Sequence, residues 1–386
     1  MKVPLGLASS MMRKPTLGIA VDSFLPRWDG VSRTLIELIP RLLKHFDFRL
    51  IVPRYPGERP QFDGLDYRLF PMLPVLRVEG AGLPIASAKA MRAALNGVDL
   101  LWTHSIGSLG GKALKIATER SIPTISMIHS IEWEIYSQNL PIGKDLFRTL
   151  WRRECRRRYQ NAATILTPSE ATASVLRAEG FEPPIIVTPL GVDTDRFKPL
   201  NHAERRERRR SLGISDDTFV FGDLGRFGAE KNLELLIRAF NELNHPQSHL
   251  LMVGGKSEAL EALNQHPNTT FRGSTTTPEH FYPLMDAYVL PSLSESAPLA
   301  ILEAMACGVI PLSTPVGNVP SYLNNTIGFL FSPHSTSDLV SAMQSLLDAP
   351  DEQEARGKRA RDLVIQEFDW QASAQRIAEI IHTTLS

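Results

Sequence analysis

Apolar residues in the first half of this chain come in short runs, and the segments between the runs repeat apolar residues at helical spacing. The run Leu17–Val21 predicts a buried strand. Leu35, Leu38 and Leu42 then recur three and four residues apart, which predicts a helix that we place at residues 31–46. The same patterns predict strands at 48–52, 100–103, 124–128 and 164–167 and helices at 111–120 and 145–162. Such alternation predicts a parallel sheet covered by helices on both faces.

Breaker residues interrupt this alternation between 181 and 198, where Pro183, Pro184, Pro189 and Gly191 fall close together. Clusters of this kind mark turns and linkers, so we predict an interdomain hinge here. The alternation then resumes, with strands predicted at 219–222, 249–253, 270–272 and 287–290 and helices at 233–243 and 370–385. The chain is therefore predicted to hold two doubly wound α/β domains and a terminal helix. Ligands of such sheets bind beyond the carboxyl ends of the strands.

The composition excludes several classes of protein. Among 386 residues, 42 Lys plus Arg balance 42 Asp plus Glu, which argues against binding nucleic acid through bulk charge. Cys155 and Cys307 are too few for a disulfide framework or a zinc site and suit a reducing, cytoplasmic location. Residues 1–15 lack the features of a signal peptide and are predicted to be a short disordered lead. No apolar run approaches the roughly 20 residues of a transmembrane helix.

Two carboxylates, Glu295 and Glu303, flank a predicted helix start. A loop at 291–295 follows the strand 287–290, and Pro298 fits the first helical turn because its missing N–H costs nothing there. A helix start with free N–H groups binds anions, and nearby carboxylates accept hydrogen bonds from hydroxyls. A sugar nucleotide combines phosphate groups with several hydroxyl groups, so this stretch predicts a binding site for a sugar nucleotide.

The loop Gly225–Asn232 follows one predicted strand and opens a helix. Arg226 and Lys231 can converge there on a diphosphate, and Asn232 is a candidate helix cap. The alternative is a charged loop that merely faces solvent. The position of the loop, one strand into the second domain, favours the phosphate site.

Three further residues lie at predicted ligand edges. Gly30, at the end of the first loop of the first domain, lets a backbone N–H approach a phosphate closely, although a simple turn is the alternative. His104 and His129 each follow a strand at its carboxyl end. Single histidines are mostly structural or exposed; Ser130 and Glu132 beside His129 favour a site role there, while His104 stays open between the two.

Other motifs are weaker. Asp193 and Asp195 form an Asp-x-Asp pair, for which local turn bonds are favoured over a metal site. The segment 254–257 lacks the first glycine of a phosphate loop, and the glycines at 222, 225 and 228 have the wrong spacing for a dinucleotide fingerprint.

Two basic stretches have no assigned chemistry. The one at 151–159, with Trp151 and Tyr159, is either a contact with an anionic membrane surface or a solvated helix face. The one at 205–210 is predicted to face solvent.

Taken in order, these features resemble the large retaining glycosyltransferase family 4, whose GT-B architecture has two Rossmann-like doubly wound domains facing across a cleft. The resemblance covers nearly the whole chain, and the joint order and spacing of its motifs make it specific. Its parts are the loop 29–31, His129, Thr167–Ser169, Gly191–Asp193, Gly225 and Arg226 with Lys231, and the stretch from Glu295 through Glu303 to Gly308. It implies an acceptor-side domain at 1–190 plus a returning helix at 370–386, and a nucleotide-sugar-binding domain at 191–369.

The resemblance also implies roles for the matching residues. Arg226 and Lys231 would hold the donor diphosphate. Glu303 would bind the nucleotide ribose, and Glu295 the sugar hydroxyls. His129 would approach the sugar near the reacting carbon, which makes His129, Glu295, Arg226 and Lys231 the catalytic set. Donor contacts are further implied for Gly30, Ser274, Ala297, Pro298 and Leu299.

The chain departs from the family pattern in two places. Ala297 stands where many members have glycine, and the loop 29–31 carries one glycine where many have two. An extra methyl group at Ala297 could crowd the sugar or merely shift the loop. Neither change removes a charged group, so activity is expected to survive.

The implied reaction is transfer of a hexosyl unit, with mannosyl or glucosyl favoured, from a UDP- or GDP-sugar to an acceptor hydroxyl of a glycolipid or polysaccharide. The anomeric configuration would be retained, and fixed cations would replace a metal, so no metal and no other cofactor is expected. The alternatives are a sugar-nucleotide epimerase of the same fold and a catalytically idle sugar-nucleotide-binding protein. The donor base and sugar, the acceptor, the linkage and the oligomeric state stay open.

Overall fold

The computed structural model describes residues 13–27, 29–61, 63–78, 81–138, 143–255, 258–295 and 297–386. The chain divides into two compact units, the first formed by residues up to Leu166 with 179–186 and 374–386, and the second by 167–178 and 187–373. The segments 167–178 and 187–190 fall in the second unit, whereas the predicted boundary lay at 190. Most of the terminal helix groups with the first unit.

The first unit is built on a seven-stranded sheet. Its strands and those of a separate hairpin are β1 (Thr16–Ala20), β2 (Asp47–Pro53), β3 (Leu65–Phe70), β4 (Met72–Val78), β5 (Ala81–Pro84), β6 (Leu100–Thr103), β7 (Thr124–Met127), β8 (Thr164–Thr167) and β9 (Ile185–Val187). The sheet order is β3-β2-β1-β6-β7-β8-β9, with parallel pairing from β3 through β8. The strands β4 and β5 form an antiparallel hairpin that sequence patterning did not predict.

Helices connect these strands. They are α1 (Gly30–Leu42), α2 (Ala88–Ala94), α3 (Ser108–Glu119), α4 (Glu132–Gln138), α5 (Lys144–Tyr159) and α6 (Glu170–Ala178). In α1 the carboxylate of Asp29 caps the helix by accepting a hydrogen bond from the N–H of Ser32 at 2.8 Å. The helix ends at Leu42, earlier than predicted, because the chain must turn to start β2 at Asp47. None of the helices in the described residues is long and apolar enough to cross a membrane.

The second unit has a six-stranded parallel sheet. Its strands are β10 (Phe219–Leu224), β11 (Ser248–Val253), β12 (Thr269–Arg272), β13 (Ala287–Leu290), β14 (Ile310–Ser313) and β15 (Phe329–Leu330), in the order β12-β11-β10-β13-β14-β15. Side chains of β13 alternate between two core clusters: Ala287 and Val289 pack into one, Tyr288 and Leu290 into the other. The sheet is therefore buried on both faces, as the alternation of strands and helices predicts. The remaining helices are α7 (His202–Ser211), α8 (Leu233–Leu243), α9 (Glu258–Leu263), α10 (Leu299–Ala306), α11 (Thr336–Leu347), α12 (Pro350–Glu367) and α13 (Trp370–Leu385).

The predicted hinge at 181–198 contains regular secondary structure and backbone hydrogen bonds. It contains β9, the edge strand of the first sheet, and Val192, whose N–H donates to the carbonyl of Phe368 at 2.7 Å. The carboxylate of Asp193 accepts the backbone N–H groups of Asp195 and Arg196 at 3.1 and 3.0 Å. These are the local turn bonds predicted for this pair of aspartates.

A buried ion cluster fastens α7 to the second sheet. The guanidinium groups of Arg205 and Arg209 each contact the carboxylate of Asp286 at 2.6 Å. Arg209 also donates to the carbonyl oxygens of Leu284 and Thr218 at 3.0 and 3.1 Å. Burial raises the pKa of Asp286, but Arg209 and Arg205 outweigh this effect and hold the pKa below its usual value.

The basic stretch 205–210 was therefore wrongly expected to face solvent as a whole. Arg209 is 3% exposed, because it lies on the face of α7 that packs against the sheet. There its guanidinium group supplies hydrogen bonds to the backbone carbonyl groups of Leu284 and Thr218.

Replacing Arg209→Ala should lower the free energy of unfolding by about 3 kcal/mol, because it leaves the carboxylate of Asp286 partly uncompensated in a buried place. Urea unfolding followed by circular dichroism measures the change. Arg206→Ala, at an exposed position of the same helix, is the matched control and should change stability by no more than about 0.5 kcal/mol. Equal unfolding midpoints for the two variants would show that the cluster does not stabilise the unit.

Candidate functional site

Two loops of the second unit meet at the carboxyl ends of the adjacent strands β10 and β13. The first forms a 3₁₀ turn at Ala229–Lys231, and the second runs from Pro291 to the start of α10. The ammonium group of Lys231 donates to a carboxylate oxygen of Glu295, which also accepts the hydroxyl of Ser292 at 3.2 Å. The structure thus brings together Lys231 and Glu295, which sequence reasoning had assigned to different parts of a ligand.

Arg226 is placed differently. Its guanidinium contacts the carboxylate of Glu230 at 2.7 Å, and its side chain is 81% exposed. The structure therefore pairs Arg226 and Lys231 with different carboxylates and does not show them converging. Asn232 occupies the N-cap position of α8, as expected, but its side chain makes no capping bond. Its amide donates instead to the carbonyl oxygens of Pro291 and Pro333 at 3.2 and 3.0 Å. This side chain joins the two loops of the site.

The helix α10 begins one residue later than predicted. Pro298 is its N-cap, with φ −71° and ψ 105°, and no side chain caps the helix start. Since ψ is extended, Pro298 lies outside the first turn, and as a proline it offers no N–H to a ligand. Donors at this helix start are therefore the N–H groups of Leu299 and the residues after it. Ala297, the predicted departure from the family, is half-buried just before the helix.

Glu303 lies just over one turn into α10 and is 2% exposed. Its carboxylate accepts the hydroxyl of Tyr282 at 2.9 Å. Tyr282 is buried in a 3₁₀ turn before β13, and no sequence motif pointed to it. This bond fixes the orientation of the carboxylate assigned to ribose binding.

A third carboxyl group of the second unit was missed. Asp223 is buried in the otherwise apolar strand β10. Burial raises its pKa to about 7, and the carboxylate of Glu295 acts in the same direction, while Lys231 and the hydroxyl of Tyr288 oppose the rise. A single aspartate within the apolar strand was the available signal. Below pH 7 this group is mostly neutral and adds no negative charge beside Lys231.

The loops after β11 and β12 complete the rim of this sheet. The hydroxyl of Ser274, one of the implied donor contacts, donates to the carbonyl of Gly254 at 3.2 Å. Gly254 has φ +150°, and a Cβ atom there would lie 1.6 Å from the carbonyl oxygen of Gly225, so only glycine allows the two backbones to touch. Positions 256 and 257, part of the phosphate-loop motif dismissed above, lie outside the described residues.

Gly30 in the first unit is the first residue of α1, directly after the cap residue Asp29. A Cβ atom built on Gly30 meets no other heavy atom within 4 Å, and its backbone is not left-handed. Packing and turn geometry among the described residues therefore do not require glycine here, and the approach of a ligand to this helix start stays a prediction.

The structure brings together the two histidines of the first unit. Nδ1 of His104 lies 2.9 Å from Nε2 of His129, and the rings stack with centroids 5.1 Å apart. Burial lowers the pKa of His104 well below its usual value and that of His129 to about 4, although Asp29 raises the latter. Both imidazoles are therefore neutral at pH 7, and His104, left open by the sequence, belongs to the same group as His129.

Two carboxyl groups of the first unit, those of Glu132 and Asp22, accept hydrogen bonds from neighbouring residues. The hydroxyl of Tyr159 donates to Glu132 at 2.6 Å, and burial raises the pKa of Glu132 to about 7. Asp22 accepts the N–H of Leu109 at 2.7 Å and the hydroxyl of Ser105 at 2.5 Å, so it holds the start of α3. Asp22 has a structural partner for each carboxylate oxygen.

The basic stretch 151–159 splits between the two faces of α5. Tyr159 is buried, and Arg158 is paired with Glu154. Trp151 stacks on Phe147 with centroids 6.0 Å apart. Tyr159 is therefore not available to a membrane surface, and Trp151 is only partly exposed.

No group of three or more His, Cys, Asp or Glu side chains in the described part of the chain is arranged to hold a metal ion.

Two family models match this chain. One, described as Glycosyltransferase Family 4, matches residues 28–196, and the other, described as Glycosyl transferases group 1, matches residues 204–363. The chain belongs to glycosyltransferase family 4. The two matches together include every residue assigned to the site by the motifs.

Curated relatives of this family 4 member carry related names. A sulfoquinovosyl transferase of Arabidopsis thaliana is 29% identical over 72% of this chain and 55% of its own length. A D-inositol 3-phosphate glycosyltransferase of Corynebacterium jeikeium is 33% identical over 51% of each chain. The chain thus spans about half the length of these two relatives. A GDP-mannose-dependent alpha-(1-6)-phosphatidylinositol monomannoside mannosyltransferase of Mycolicibacterium smegmatis is 25% identical over 94% of this chain and 97% of its own.

Solved structures match the fold of this family 4 member along its length. The Anabaena protein HepE in complex with UDP gives a TM-score of 0.75 at 19% identity, with 96% of this chain and 100% of that chain covered. The predicted GT-B fold is confirmed.

Asp223→Asn should stabilise the protein increasingly as the pH rises. A carboxyl group with a raised folded-state pKa stays protonated in the native state while the unfolded state releases its proton. The native aspartate therefore costs stability between about pH 4 and 7, and the full cost persists above pH 7. The gain of the variant over the parent should be near zero at pH 4 and reach on the order of a few kcal/mol at pH 8.

Urea midpoints of parent and variant at pH 4, 5, 6, 7 and 8 measure this gain. Asp217→Asn, exposed in the same unit, controls for the loss of a charge. A difference that is the same at every pH would contradict the raised pKa.

Proposed function

We propose that this chain transfers a hexosyl unit from a nucleotide diphosphate sugar to an acceptor hydroxyl, with retention of the anomeric configuration. The observation that carries the proposal is the contact of Lys231 with Glu295 beside the uncapped start of α10. A cation, free helix N–H groups and a carboxylate at one point suit a ligand that joins a diphosphate to a polyol. The names of its relatives support the same class of reaction.

The leaving diphosphate gains negative charge in the transition state, and the second unit holds groups that stabilise it. Lys231 is partly buried, with its side chain 22% exposed, so its charge is less screened than that of a surface lysine. Arg226 is exposed, and its pair with Glu230 contributes little, so exchanging Glu230 for a phosphate costs little. These cations fill the role that a metal would have, and no metal or cofactor is part of the proposal.

Each carboxylate has a separate task in this proposal. Glu295 holds Lys231 in place and accepts hydroxyl groups of the sugar. Glu303, fixed by Tyr282, accepts a ribose hydroxyl. Glu295 already accepts bonds from Lys231 and Ser292, which makes it a poor nucleophile, so we assign the acceptor proton to the leaving phosphate oxygen. From the first unit, Gly30 lets its helix start approach the ligand, and His129 meets the sugar.

For the donor we propose a UDP- or GDP-sugar carrying glucose or mannose, and for the acceptor a hydroxyl of a glycolipid or polysaccharide. One relative is named as a GDP-mannose-dependent mannosyltransferase of a phosphatidylinositol glycolipid, and one structural neighbour was solved with UDP-glucose. Backbone contacts from Ala297 and Leu299, and Ser274 near the base, complete the proposed donor site. Incubation with each sugar nucleotide, with and without a lipid or glycan acceptor, followed by product mass, tests this assignment.

Lys231→Ala and Glu303→Ala should each reduce transfer from the donor that turns over by about 100-fold or more, because each removes a charged partner of the donor. Nucleotide release measures the rate. Lys358→Ala, which removes an exposed lysine of α12 paired only with Asp362 at the surface, is the control and should keep the parental rate.

Unchanged turnover in both site variants would overturn the site assignment. An altered sugar nucleotide formed without acceptor would instead indicate an epimerase, and binding without any turnover would indicate an idle binding protein. An activity that is lost in EDTA and restored by Mn²⁺ would indicate a metal requirement. If the Asp195→Ala variant lacked this requirement, the proposal that no metal is needed would be overturned.

We further propose that the exposed face of α5 contacts an anionic membrane surface. Leu146 and Leu150 on this helix are 67% and 59% exposed, and Arg153 and Arg157 continue the same face toward its end. Exposed leucines with arginines one and two turns on suit the boundary between lipid headgroups and acyl chains. A glycolipid acceptor would lie in the same membrane.

Vesicles of phosphatidylcholine with 30% phosphatidylglycerol (about a third of the lipid, enough for a clear surface charge) should sediment the protein, and vesicles of phosphatidylcholine alone should not. The double variant Leu146→Ser with Leu150→Ser should weaken this binding by about tenfold or more, since two large apolar side chains no longer enter the lipid. Ile365→Ser, at an exposed apolar residue of α12, is the control. Equal binding to both kinds of vesicle would rule out the contact.

A further inference from the structure

The contact between His104 and His129 restricts where their protons can be. The two facing nitrogen atoms, Nδ1 of His104 and Nε2 of His129, are 2.9 Å apart. Two lone pairs or two N–H groups facing each other at this distance repel, so one hydrogen must lie between them. Because burial lowers the pKa of both rings, each imidazole carries a single proton at neutral pH. Only two arrangements remain.

In the first arrangement His104 donates through Nδ1–H, its Nε2 is a lone pair, and His129 carries its own proton on Nδ1. In the second, His129 donates through Nε2–H, its Nδ1 is a lone pair, and His104 carries its proton on Nε2. The two arrangements differ in what His129 offers to a ligand. The first makes Nδ1 of His129 a hydrogen-bond donor, and the second makes it an acceptor.

The surroundings of His104 distinguish the two. His104 is 3% exposed, and its Nε2 atom is buried with no hydrogen-bond partner among the described residues. A buried N–H without a partner is rarer and more costly than a buried lone pair without one. The indole N–H of Trp102, whose ring centroid is 4.4 Å from that of His104, is also buried without a partner in the described structure. A proton on Nε2 of His104 would add a second orphaned donor to the same place, so the first arrangement is favoured.

We propose that His104 is a positioning residue that holds His129 as its Nδ1–H tautomer and so makes His129 a fixed hydrogen-bond donor to an oxygen of the donor sugar. Nδ1 of His129 makes no hydrogen bond within the described residues, and His129 is only half-buried. Its use on a sugar oxygen rests on the proposed function. The tautomer itself does not, because it follows from contacts within the first unit alone.

The tautomer gives the neutral His129 a definite task. An imidazole that donates through Nδ1 and accepts from His104 through Nε2 has no lone pair left to take a proton from an acceptor hydroxyl. His129 therefore orients the sugar and does not act as a general base, in agreement with passing the acceptor proton to the leaving phosphate.

Long-range ¹H–¹⁵N correlation spectra of the full chain labelled with [¹⁵N]histidine at pH 7.5 report the tautomer directly, and comparison with His129→Gln assigns the signals. We expect Nδ1 of His129 to be protonated and Nε2 to show the shift of a nitrogen that accepts a hydrogen bond. Protonated Nε2 on His129 would overturn the proposal.

Two variants of His104 test its part. His104→Asn places an amide donor near the former Nδ1 atom and should keep the tautomer of His129, whereas His104→Phe keeps a stacked ring without a donor and should let His129 return to a mixture of tautomers. Thermal unfolding confirms that each variant is folded. The Nδ1–H tautomer persisting unchanged in a folded His104→Phe variant would show that His104 does not hold it.

Turnover of UDP-glucose and GDP-mannose, measured on the same variants, separates this proposal from the proposed function. His104→Phe should lower kcat by about three- to tenfold, the range of one neutral hydrogen bond, while UDP or GDP binding is unchanged and His104→Asn largely restores the rate. Parental kcat in His104→Phe would overturn the role on the sugar. The expected tautomer in a protein that turns over no sugar nucleotide would contradict the proposed function and leave the tautomer assignment standing.

Discussion

Parallel pairing of the strands is the constraint on which the chemistry of both units depends. In the second unit β10 lies beside β13, with Phe221 opposite Ala287, so loops from segments far apart in sequence leave the sheet side by side. That alignment alone allows the ammonium group of Lys231 to reach the carboxylate of Glu295. In the first unit β6 pairs with β7 in the same direction, and His104 meets His129 for the same reason. Parallel sheets require helices on both faces, which accounts for the two core clusters.

Burial then determines how these groups carry charge. The second unit retains one cation and one anion in contact, while the neighbouring Asp223 stays mostly neutral below pH 7 because its strand is buried. At the other end of the same strands, Asp286 is partly buried but keeps its charge, since two guanidinium groups compensate it. The site end of the sheet thus avoids excess negative charge where a diphosphate would bind, and the opposite end uses a full ion cluster to fasten a helix.

Hydrophobic spacing was enough to predict most central strands of both sheets, because burial of apolar residues determines them locally, but it did not predict β3, β9, β14 and β15. The order of the motifs was enough to predict the GT-B fold. Contacts that depend on tertiary distance were beyond this kind of reasoning. The pairing of Lys231 with Glu295, the hydroxyl of Tyr282 on Glu303 and the raised pKa of Asp223 all involve residues that patterning cannot place together. The helix start at Pro298 and the burial of Arg209 were misjudged for a related reason, since backbone conformation and packing override residue preference there.

Both cysteines of the chain are buried, and burial raises the pKa of the Cys155 and Cys307 thiols. The thiolate is the nucleophilic form, so neither side chain should react readily with maleimides or mild oxidants. We therefore expect the protein to react with alkylating reagents as if it had no cysteine. A single cysteine introduced on the surface of either unit can accept a fluorophore or spin label without first removing a native residue.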